Sequence, residues 1–169
     1  MGYNNVTYVR YSTNMATKDA SVDALDVAAY ILEKFGELDA MRLQKLTYYS
    51  QAWYLAWKGE PLFGDPIEAW ANGPVVRRLY SKHRGQFVLQ AGVIPGVPDK
   101  LSSDQKRVID SVCSSYGNLT GWQLSQLSHE EFPWVEARRR AKVQDGDPST
   151  ERIDPEDMLT FFQSKAAKD

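Results

Sequence analysis

The sequence predicts a single, mainly α-helical domain of about six or seven helices with one small β-hairpin. Apolar residues recur at spacings of three and four through most of the chain after residue 20, which is the period of an amphipathic helix. Three helix-capping pairs, in which Ser or Thr precedes Gln or Glu by three residues, stand at expected helix starts in the second half. With 169 residues, 43% hydrophobic and 25% charged, the chain has the length and composition of one globular domain.

Residues 1–18 differ from the rest of the chain and are expected to form an N-terminal extension. Residues 4–11 are rich in Val, Thr and Tyr, which favour extended structure over helix. One interpretation is a flexible tail, or an over-long start with Met15 as the initiator. The other is an arm that pairs with the edge of a partner's sheet, where tyrosines offer apolar area and a hydroxyl. The partner-binding candidates in this arm are Tyr3, Tyr8 and Tyr11.

The first two helices are predicted from stripes of apolar residues. The first stripe consists of Val22, Leu25, Ala29 and Leu32, and the second of Leu43, Leu46, Ser50, Trp53 and Trp57. Gly36 is placed to end the first helix, while Asp39 is a candidate N-cap for the second, which Gly59 closes. Because flanking positions are also apolar, the second helix is expected at the centre of the fold, with Trp53 and Trp57 in the core.

A hairpin and a third helix are predicted next. Residues 61–70 are expected to form the hairpin, because residues 64–66 are turn formers between two short apolar segments. The glycine-proline pair at 73–74 predicts the start of a helix, since proline suits the first helical position. Residues 86–100 contain two prolines and two glycines and are expected to be a loop, with a candidate short strand at residues 87–89.

The second half is expected to hold four helices. Three of them follow capping pairs, and the last follows Asp154 and Pro155. The capping pairs are Ser102 with Gln105, Thr120 with Gln123, and Ser128 with Glu131. The helical domain as a whole is assigned to residues 19–163, and residues 164–169 to a polar tail that frays.

The composition argues against several functional classes. A net charge of −2 gives no general attraction to nucleic acid, so no nucleic-acid binding is expected of this chain alone. Cys113 is the single cysteine, which excludes a disulfide framework and a cysteine metal site and fits a reducing cytoplasm. No apolar run is long enough to cross a membrane and no signal peptide is recognised. A cytoplasmic location without membrane association is therefore expected.

No motif for catalysis or cofactor binding is recognised. The chain lacks metal-binding histidine spacing, a glycine-rich phosphate loop and a nucleophile elbow. The most enzyme-like fragment is residues 128–131, where His129 stands beside two carboxylates and is a candidate general base. Three interpretations of His129 stay open: a structural role, a contact with a partner, or catalysis in an unrecognised enzyme.

Two basic clusters are candidates for partner binding. The first consists of Arg77, Arg78, Lys82, His83 and Arg84, and the second of Arg138, Arg139, Arg140 and Lys142. Positive side chains near the C-terminus of a helix are favoured by the helix dipole, so a solvated helix face explains either cluster. The alternative is electrostatic attraction to an acidic surface on a partner, which speeds association. The candidates for that role are Arg77, Arg78 and Arg84.

Residues 43–80 carry a resemblance to a known family. They read LQKLTYYSQAWYLAWKGEPLFGDPIEAWANGPVVRRLY and resemble the signature block of the Panacea antitoxin domain. The shared pattern is L-Q-K-L-x-Y-Y-x-Q-A-W, followed by P-L-F, E-A-W-x-x-G-P-V-V and L-Y. A second element of the family is matched by Leu124, Leu127, His129, Pro133 and Trp134. In that element Ser128 stands where threonine is more usual.

The resemblance implies a type II antitoxin, which neutralises a cognate protein toxin by direct binding. It brings no catalytic residues and no cofactor, so the chain is not expected to be an enzyme. The family also includes a proteolytic adaptor that delivers its toxin to a Clp-type protease, and this role is the alternative. Members of the family are paired with unrelated toxins, so specificity is expected in surface residues rather than in the shared core.

Overall fold

The structure is a computed structural model that describes residues 22–168. The predicted extension at residues 1–18, with its three tyrosines, lies outside the described residues. Within them the chain forms seven α-helices and two small antiparallel sheets, which confirms the mainly α-helical fold class. The helices are α1 (Ala24–Phe35), α2 (Ala40–Lys58), α3 (Arg77–His83), α4 (Ser103–Tyr116), α5 (Gly121–His129), α6 (Phe132–Ala141) and α7 (Pro155–Lys168). The strands are β1 (Glu37–Asp39), β2 (Ile67–Trp70), β3 (Gly73–Val76) and β4 (Val88–Gln90).

Helix α2 lies at the centre of the fold, as predicted. Every residue from Leu43 to Leu55 is buried, and the helix packs against α1, α4, α5, α7 and strand β3. A helix covered on all sides buries polar residues as well as apolar ones, and each buried polar group needs a hydrogen-bond partner within the fold. Gln44, Lys45 and Gln51 are such residues.

The prediction that both tryptophans of α2 lie in the core is correct for Trp53 and wrong for Trp57. Trp53 is 7% exposed, whereas Trp57 is 47% exposed. Trp57 lies in the last turn of α2 and covers Trp53, with 5.0 Å between the ring centroids. The apolar stripe therefore continues further along α2 than the burial does.

The predicted helix ends are confirmed at several positions. Gly36 and Gly59 follow the last residues of α1 and α2. The side chain of Asp39 accepts a hydrogen bond from the backbone N–H of Arg42 at 2.9 Å and so caps α2. Reciprocal capping boxes form at two predicted pairs, Ser102 with Gln105 and Thr120 with Gln123.

The third predicted capping pair is wrong. Ser128 lies inside α5, where its hydroxyl donates to the carbonyl oxygen of Ser125 at 3.0 Å. Glu131 precedes α6, but its carboxylate accepts a hydrogen bond from the hydroxyl of Tyr49 in α2 at 2.7 Å. A partner that is distant in sequence thus replaces the local cap, and residue spacing alone does not reveal such a partner.

Helix α7 begins at its predicted cap and runs further than predicted. The side chain of Asp154 accepts from the backbone N–H of Glu156 at 2.8 Å. The helix continues to Lys168, so residues 164–168, which were expected to fray, are helical. Its buried Phe162 packs edge-on against the aromatic rings of α2, which fixes α7 on the central helix.

The predicted hairpin exists, but β2 and β3 form it rather than residues 61–70. The two strands are antiparallel, with Ile67 opposite Val76. Residues 73–74 belong to the second strand, and α3 starts after it, so the predicted helix start at 73–74 is wrong.

Two glutamine side chains of α2 explain why both expectations failed. Gln51 Oε1 accepts from the N–H of Leu62 at 2.7 Å, and its Nε2 donates to the carbonyl of Phe63 at 2.6 Å. Gln44 Oε1 accepts from the N–H of Val76 at 2.9 Å, and its Nε2 donates to the carbonyl of the same residue at 3.3 Å. Each amide thereby takes the place of a neighbouring strand, which no periodic pattern in the sequence indicates.

Strands β1 and β4 form the second sheet, a pairing that was not predicted. Leu38 lies opposite Leu89, and both are buried. The candidate strand at residues 87–89 is confirmed with a shift of one residue. Strand β1 was missed because three residues between two helices are too few to show an alternating pattern.

Candidate functional site

The hairpin formed by β2 and β3 is attached to α5 and α6 by four side-chain hydrogen bonds. The carbonyl oxygens of four consecutive residues, 69–72, each accept one of them. The pairs are Arg138 Nη1 to Ala69 (2.9 Å), Trp134 Nε1 to Trp70 (2.9 Å), His129 Nε2 to Ala71 (3.0 Å) and Ser125 Oγ to Asn72 (2.6 Å). Each carbonyl thereby has a donor, which is the condition for holding backbone away from water.

Arg138 is a buried residue that also organises the loop after α6. Its Nη2 donates to the carbonyl oxygens of Gln144 at 2.9 Å and Asp147 at 2.7 Å. Its guanidinium carbon lies 4.9 Å from the ring centroid of Trp134. A planar fork of donors suits three carbonyl acceptors at once. The interpretation of the second basic cluster as a solvated face is therefore wrong at Arg138.

Lys45 is a buried amine beneath the hairpin. It is 2% exposed, and its Nζ donates to the carbonyl oxygen of Pro74 at 3.0 Å. Burial lowers the pKa of its ammonium group to about 7. A Cβ on Gly73, whose φ is 115°, would lie 2.7 Å from Lys45 Cε. The lysine therefore passes under the hairpin because residue 73 has no side chain.

His129 is held between the hairpin and Trp134. Because a carbonyl oxygen only accepts, the bond to Ala71 places a hydrogen on Nε2 of the ring. Burial lowers the pKa of this imidazole, although the hydrogen bond to Ala71 opposes the shift. The ring centroids of His129 and Trp134 are 4.3 Å apart. Glu131, one of the carboxylates considered for a catalytic pair, binds Tyr49 instead, so this geometry favours the structural interpretation of His129.

Arg77 is fixed on the surface by a buried carboxylate. Glu68 accepts from Nε and Nη2 of Arg77, each at 2.9 Å, and from Nε1 of Trp70 at 2.8 Å. Burial alone raises the pKa of Glu68, but these hydrogen bonds outweigh it and hold the pKa below its ordinary value. Trp70 in turn packs edge-on against Tyr80, with ring centroids 4.9 Å apart. Glu68 thus locks an arginine and a tryptophan side by side.

We define the α3 face as Trp70, Arg77, Tyr80 and Arg84. Arg77 and Tyr80 are three residues apart and share one side of α3, and Trp70 packs against Tyr80. Arg84 follows the last residue of the helix. Arg77 and Arg84 are exposed, while Trp70 and Tyr80 are half-buried. This face brings together two of the predicted partner-binding residues.

The other predicted residues lie elsewhere. Arg78 Nη1 lies 2.9 Å from a carboxylate oxygen of Asp23 and 3.2 Å from one of Asp65, so it links α3 to the start of α1. His129 lies under the hairpin. The three tyrosines of the extension are outside residues 22–168. Sequence reasoning did not bring Glu68, Trp70 and Tyr80 together, because their proximity depends on a hairpin whose position was predicted wrongly.

Among the grooves of residues 22–168 are two that lie apart from the α3 face. One of about 300 Å³ lies between α2, α4 and α7 and is lined by aromatic residues and Lys165. The other, of about 270 Å³, lies between residues 64–67 and 152–155. Neither is lined by Arg77, Arg84 or His129.

Metal sites and membrane spans were sought in the described part of the chain. Among residues 22–168, no group of three or more His, Cys, Asp or Glu side chains is arranged to hold a metal ion. No helix in the same range is long and apolar enough to cross a bilayer.

Comparison with known proteins places the chain in a class. The family model described as "Antitoxin SocA-like, Panacea domain" matches residues 43–135, and the chain belongs to this family. That range contains the hairpin, the α3 face and the donors of α5 and α6 up to Val135.

The chain is also similar in sequence to a curated protein of this family. Antitoxin SocA of Caulobacter vibrioides (strain NA1000 / CB15N) is 31% identical over 130 residues, which cover 68% of this chain and 69% of the relative. No solved structure matches the chain significantly.

Proposed function

We propose that this protein is an antitoxin that neutralises a cognate protein toxin by binding it directly. The observation that carries the proposal is the similarity to a curated antitoxin over 130 residues. The matched range holds a folded domain with a surface on which arginine and aromatic side chains are held in place. Such residues are those that contribute most to protein–protein binding.

The roles of the buried signature residues support a scaffold with a separate binding surface. Gln44, Lys45 and Gln51 bind the protein's own backbone, and so do His129 and Trp134. Side chains with these partners shape the domain and are not free to act on a substrate. Binding of a toxin then falls to residues left on the surface, which fits a non-enzymatic role.

The experiment starts from the neighbouring open reading frame. Its product is tested for toxicity when expressed alone and for tolerance when expressed with this protein. The two purified proteins are then mixed and analysed by size-exclusion chromatography and calorimetry. We expect a stable complex with a defined stoichiometry. Rescue of growth without any complex between the purified proteins would contradict direct neutralisation.

The fate of the bound toxin distinguishes a stoichiometric inhibitor from a proteolytic adaptor. Toxin, this protein, a purified Clp-type protease and ATP are combined, and toxin is followed over time. We expect the toxin to persist in an inhibited complex. Accelerated loss of toxin that depends on this protein would assign it the adaptor role instead.

A further inference from the structure

The segment that carries the α3 face has an unusual charge. Residues 69–98 contain four of the chain's 20 lysines and arginines and none of its 22 Asp and Glu residues, although the whole chain has a net charge of −2. Two of the four, Arg77 and Arg78, are paired with the protein's own carboxylates. Lys82 and Arg84 form no salt bridge within residues 22–168. Lys82 and Arg84 are therefore the cations of this segment that are left for a partner.

Three side chains of the α3 face, those of Trp70, Arg77 and Tyr80, are held in place before any partner binds. Glu68 holds both Arg77 and the Trp70 indole, and Tyr80 packs against Trp70. Although Nε and Nη2 of Arg77 bind Glu68, its side chain remains 56% exposed. Fixed side chains lose little conformational entropy on association, so their contacts with a partner retain more of their free energy.

An exposed aromatic residue follows the α3 face in the chain. Phe87 follows Arg84 by three residues and is 87% exposed. Its backbone is held, because its carbonyl accepts from the N–H of Ala40 at 2.8 Å and the preceding turn is closed from Gln86 to His83. A large apolar side chain on a fixed backbone beside basic residues is typical of an interface with an apolar centre and a charged rim.

We propose that the α3 face together with Phe87 is the toxin-binding surface, and that it binds a region of the toxin carrying carboxylates around an apolar centre. This inference rests on the proposed antitoxin function and specifies the chemistry of the partner. Charge complementarity favours an acidic protein surface, since Arg84 and Lys82 form no salt bridge within residues 22–168. Nucleic acid is disfavoured as the occupant, because the protein as a whole is acidic and would be repelled by a phosphate backbone.

The test measures toxin association for two variants of equal charge change. Arg84→Glu alters the α3 face, and Arg107→Glu alters an exposed arginine of α4 whose partner is Asp104. The probe is the toxic product of the neighbouring gene, and rates are measured at low and high salt. We expect Arg84→Glu to lower the association rate on the order of tenfold and to weaken its salt dependence. Arg107→Glu should change the association rate and its salt dependence by less than about twofold, because this charge lies outside the proposed interface.

A second variant tests the apolar part. Phe87→Ala should raise the dissociation rate on the order of tenfold with little change in association, as for an aromatic anchor at an interface. Because this side chain is exposed, the melting temperature should remain unchanged and serves as the folding control. A toxin variant with one Asp or Glu changed to Lys that restores binding to Arg84→Glu would demonstrate direct pairing.

The outcomes separate this inference from the proposed function. Normal toxin binding by both Arg84→Glu and Phe87→Ala would overturn the surface assignment and leave the antitoxin function intact. Equal losses for Arg84→Glu and Arg107→Glu would also overturn it, because general charge would then explain the effect. If Arg84→Glu abolishes binding of DNA or RNA but leaves toxin binding unchanged, the face is a nucleic-acid site and the surface assignment is overturned. No binding of toxin by the unaltered protein would overturn the proposed function itself.

Discussion

The hydroxyl of Tyr49 donates a 2.7 Å hydrogen bond to the carboxylate of Glu131, which joins the central helix α2 to the start of α6. Lys165 of α7 lies 3.4 Å from the other carboxylate oxygen. Burial raises the pKa of Glu131, and the hydrogen bond from Tyr49 only partly opposes this. One buried carboxylate therefore connects three helices. Its charged form stabilises the folded state less than its protonated form does.

The first prediction concerns Glu131→Gln. A carboxyl group whose pKa is raised in the folded state stabilises the fold most when protonated, and this stability is lost as the pH rises through the folded pKa. Glutamine keeps the acceptor for Tyr49 without a charge. We expect the variant and the original protein to be similarly stable in acid, and the variant to gain relative stability as the pH rises to neutral. Urea unfolding at several pH values measures the free energy of unfolding of both proteins. If their difference changes with pH as little as it does for a variant at an exposed position, Glu130→Gln, the prediction is contradicted.

The second prediction concerns Lys45→Met. Burial lowers the pKa of Lys45 from 10.5 to about 7, so between these values the unfolded chain binds a proton that the folded chain does not. The original protein should therefore gain stability over the variant as the pH rises from about 7 to about 10, by up to roughly 1.4 kcal/mol per pH unit. Exposed Lys82→Met should show no such trend in the same unfolding measurements. Parallel curves for all three proteins would mean that Lys45 is not buried as an amine.

The third prediction compares two glycines. Gly73 and Gly92 both have positive φ, but only at Gly73 would a Cβ lie 2.7 Å from Lys45 Cε. Both changes to alanine strain the backbone, by about 1–3 kcal/mol. Gly73→Ala should cost about 1–3 kcal/mol more than Gly92→Ala, because it also overpacks the space that Lys45 occupies. Equal losses of unfolding free energy for the two variants would contradict the close approach of lysine and hairpin.

The fourth prediction concerns His129→Ala. The change removes the donor to the Ala71 carbonyl and the contact with Trp134, and we expect a loss of about 1–3 kcal/mol in stability. Neutralisation of the toxin should persist at temperatures where the variant is folded. His129→Gln, which retains an N–H donor, should recover part of the stability. Loss of neutralisation at an unchanged melting temperature would revive a direct role for His129.

The fifth prediction concerns residues 1–14. Deleting them should leave the helical domain folded, because the described core begins at Val22. If the tyrosines of this segment contact the toxin, the truncated protein should bind it more weakly. A triple variant with Tyr3, Tyr8 and Tyr11 changed to Ser tests the side chains without shortening the chain. Unchanged affinity in both proteins would leave the α3 face as the candidate surface.

The helices of this fold were predictable because their signals are local. Gly36, Asp39 and Gly59 delimit α1 and α2 through contacts within a few residues, and the capping boxes of α4 and α5 work in the same way. The hairpin was misplaced because its second strand is bonded to Gln44, which lies 32 positions earlier in the chain. Spacing rules carry no information about such a partner.

The candidate site was predictable only in part for the same reason. The cluster of basic residues in the sequence pointed to Arg77 and Arg84. The sequence did not show that the arginines of this cluster have different roles. Arg78 binds Asp23 and Asp65, whereas Arg77 binds Glu68 and lies on the exposed face. The sequence likewise showed a polar position at Glu68 without showing that the carboxylate is buried or which arginine it binds.

The four hydrogen bonds that hold the hairpin have a consequence for synthesis on the ribosome. Their donors lie 53 to 69 positions after the carbonyls that they bind. The hairpin therefore leaves the ribosome long before Ser125, Trp134 and Arg138 are translated. It lacks these hydrogen bonds while the C-terminal half is synthesised. Translation that stops before α6 yields a product that contains every residue of the α3 face but lacks Trp134 and Arg138, two of the four side chains that hold its hairpin in place.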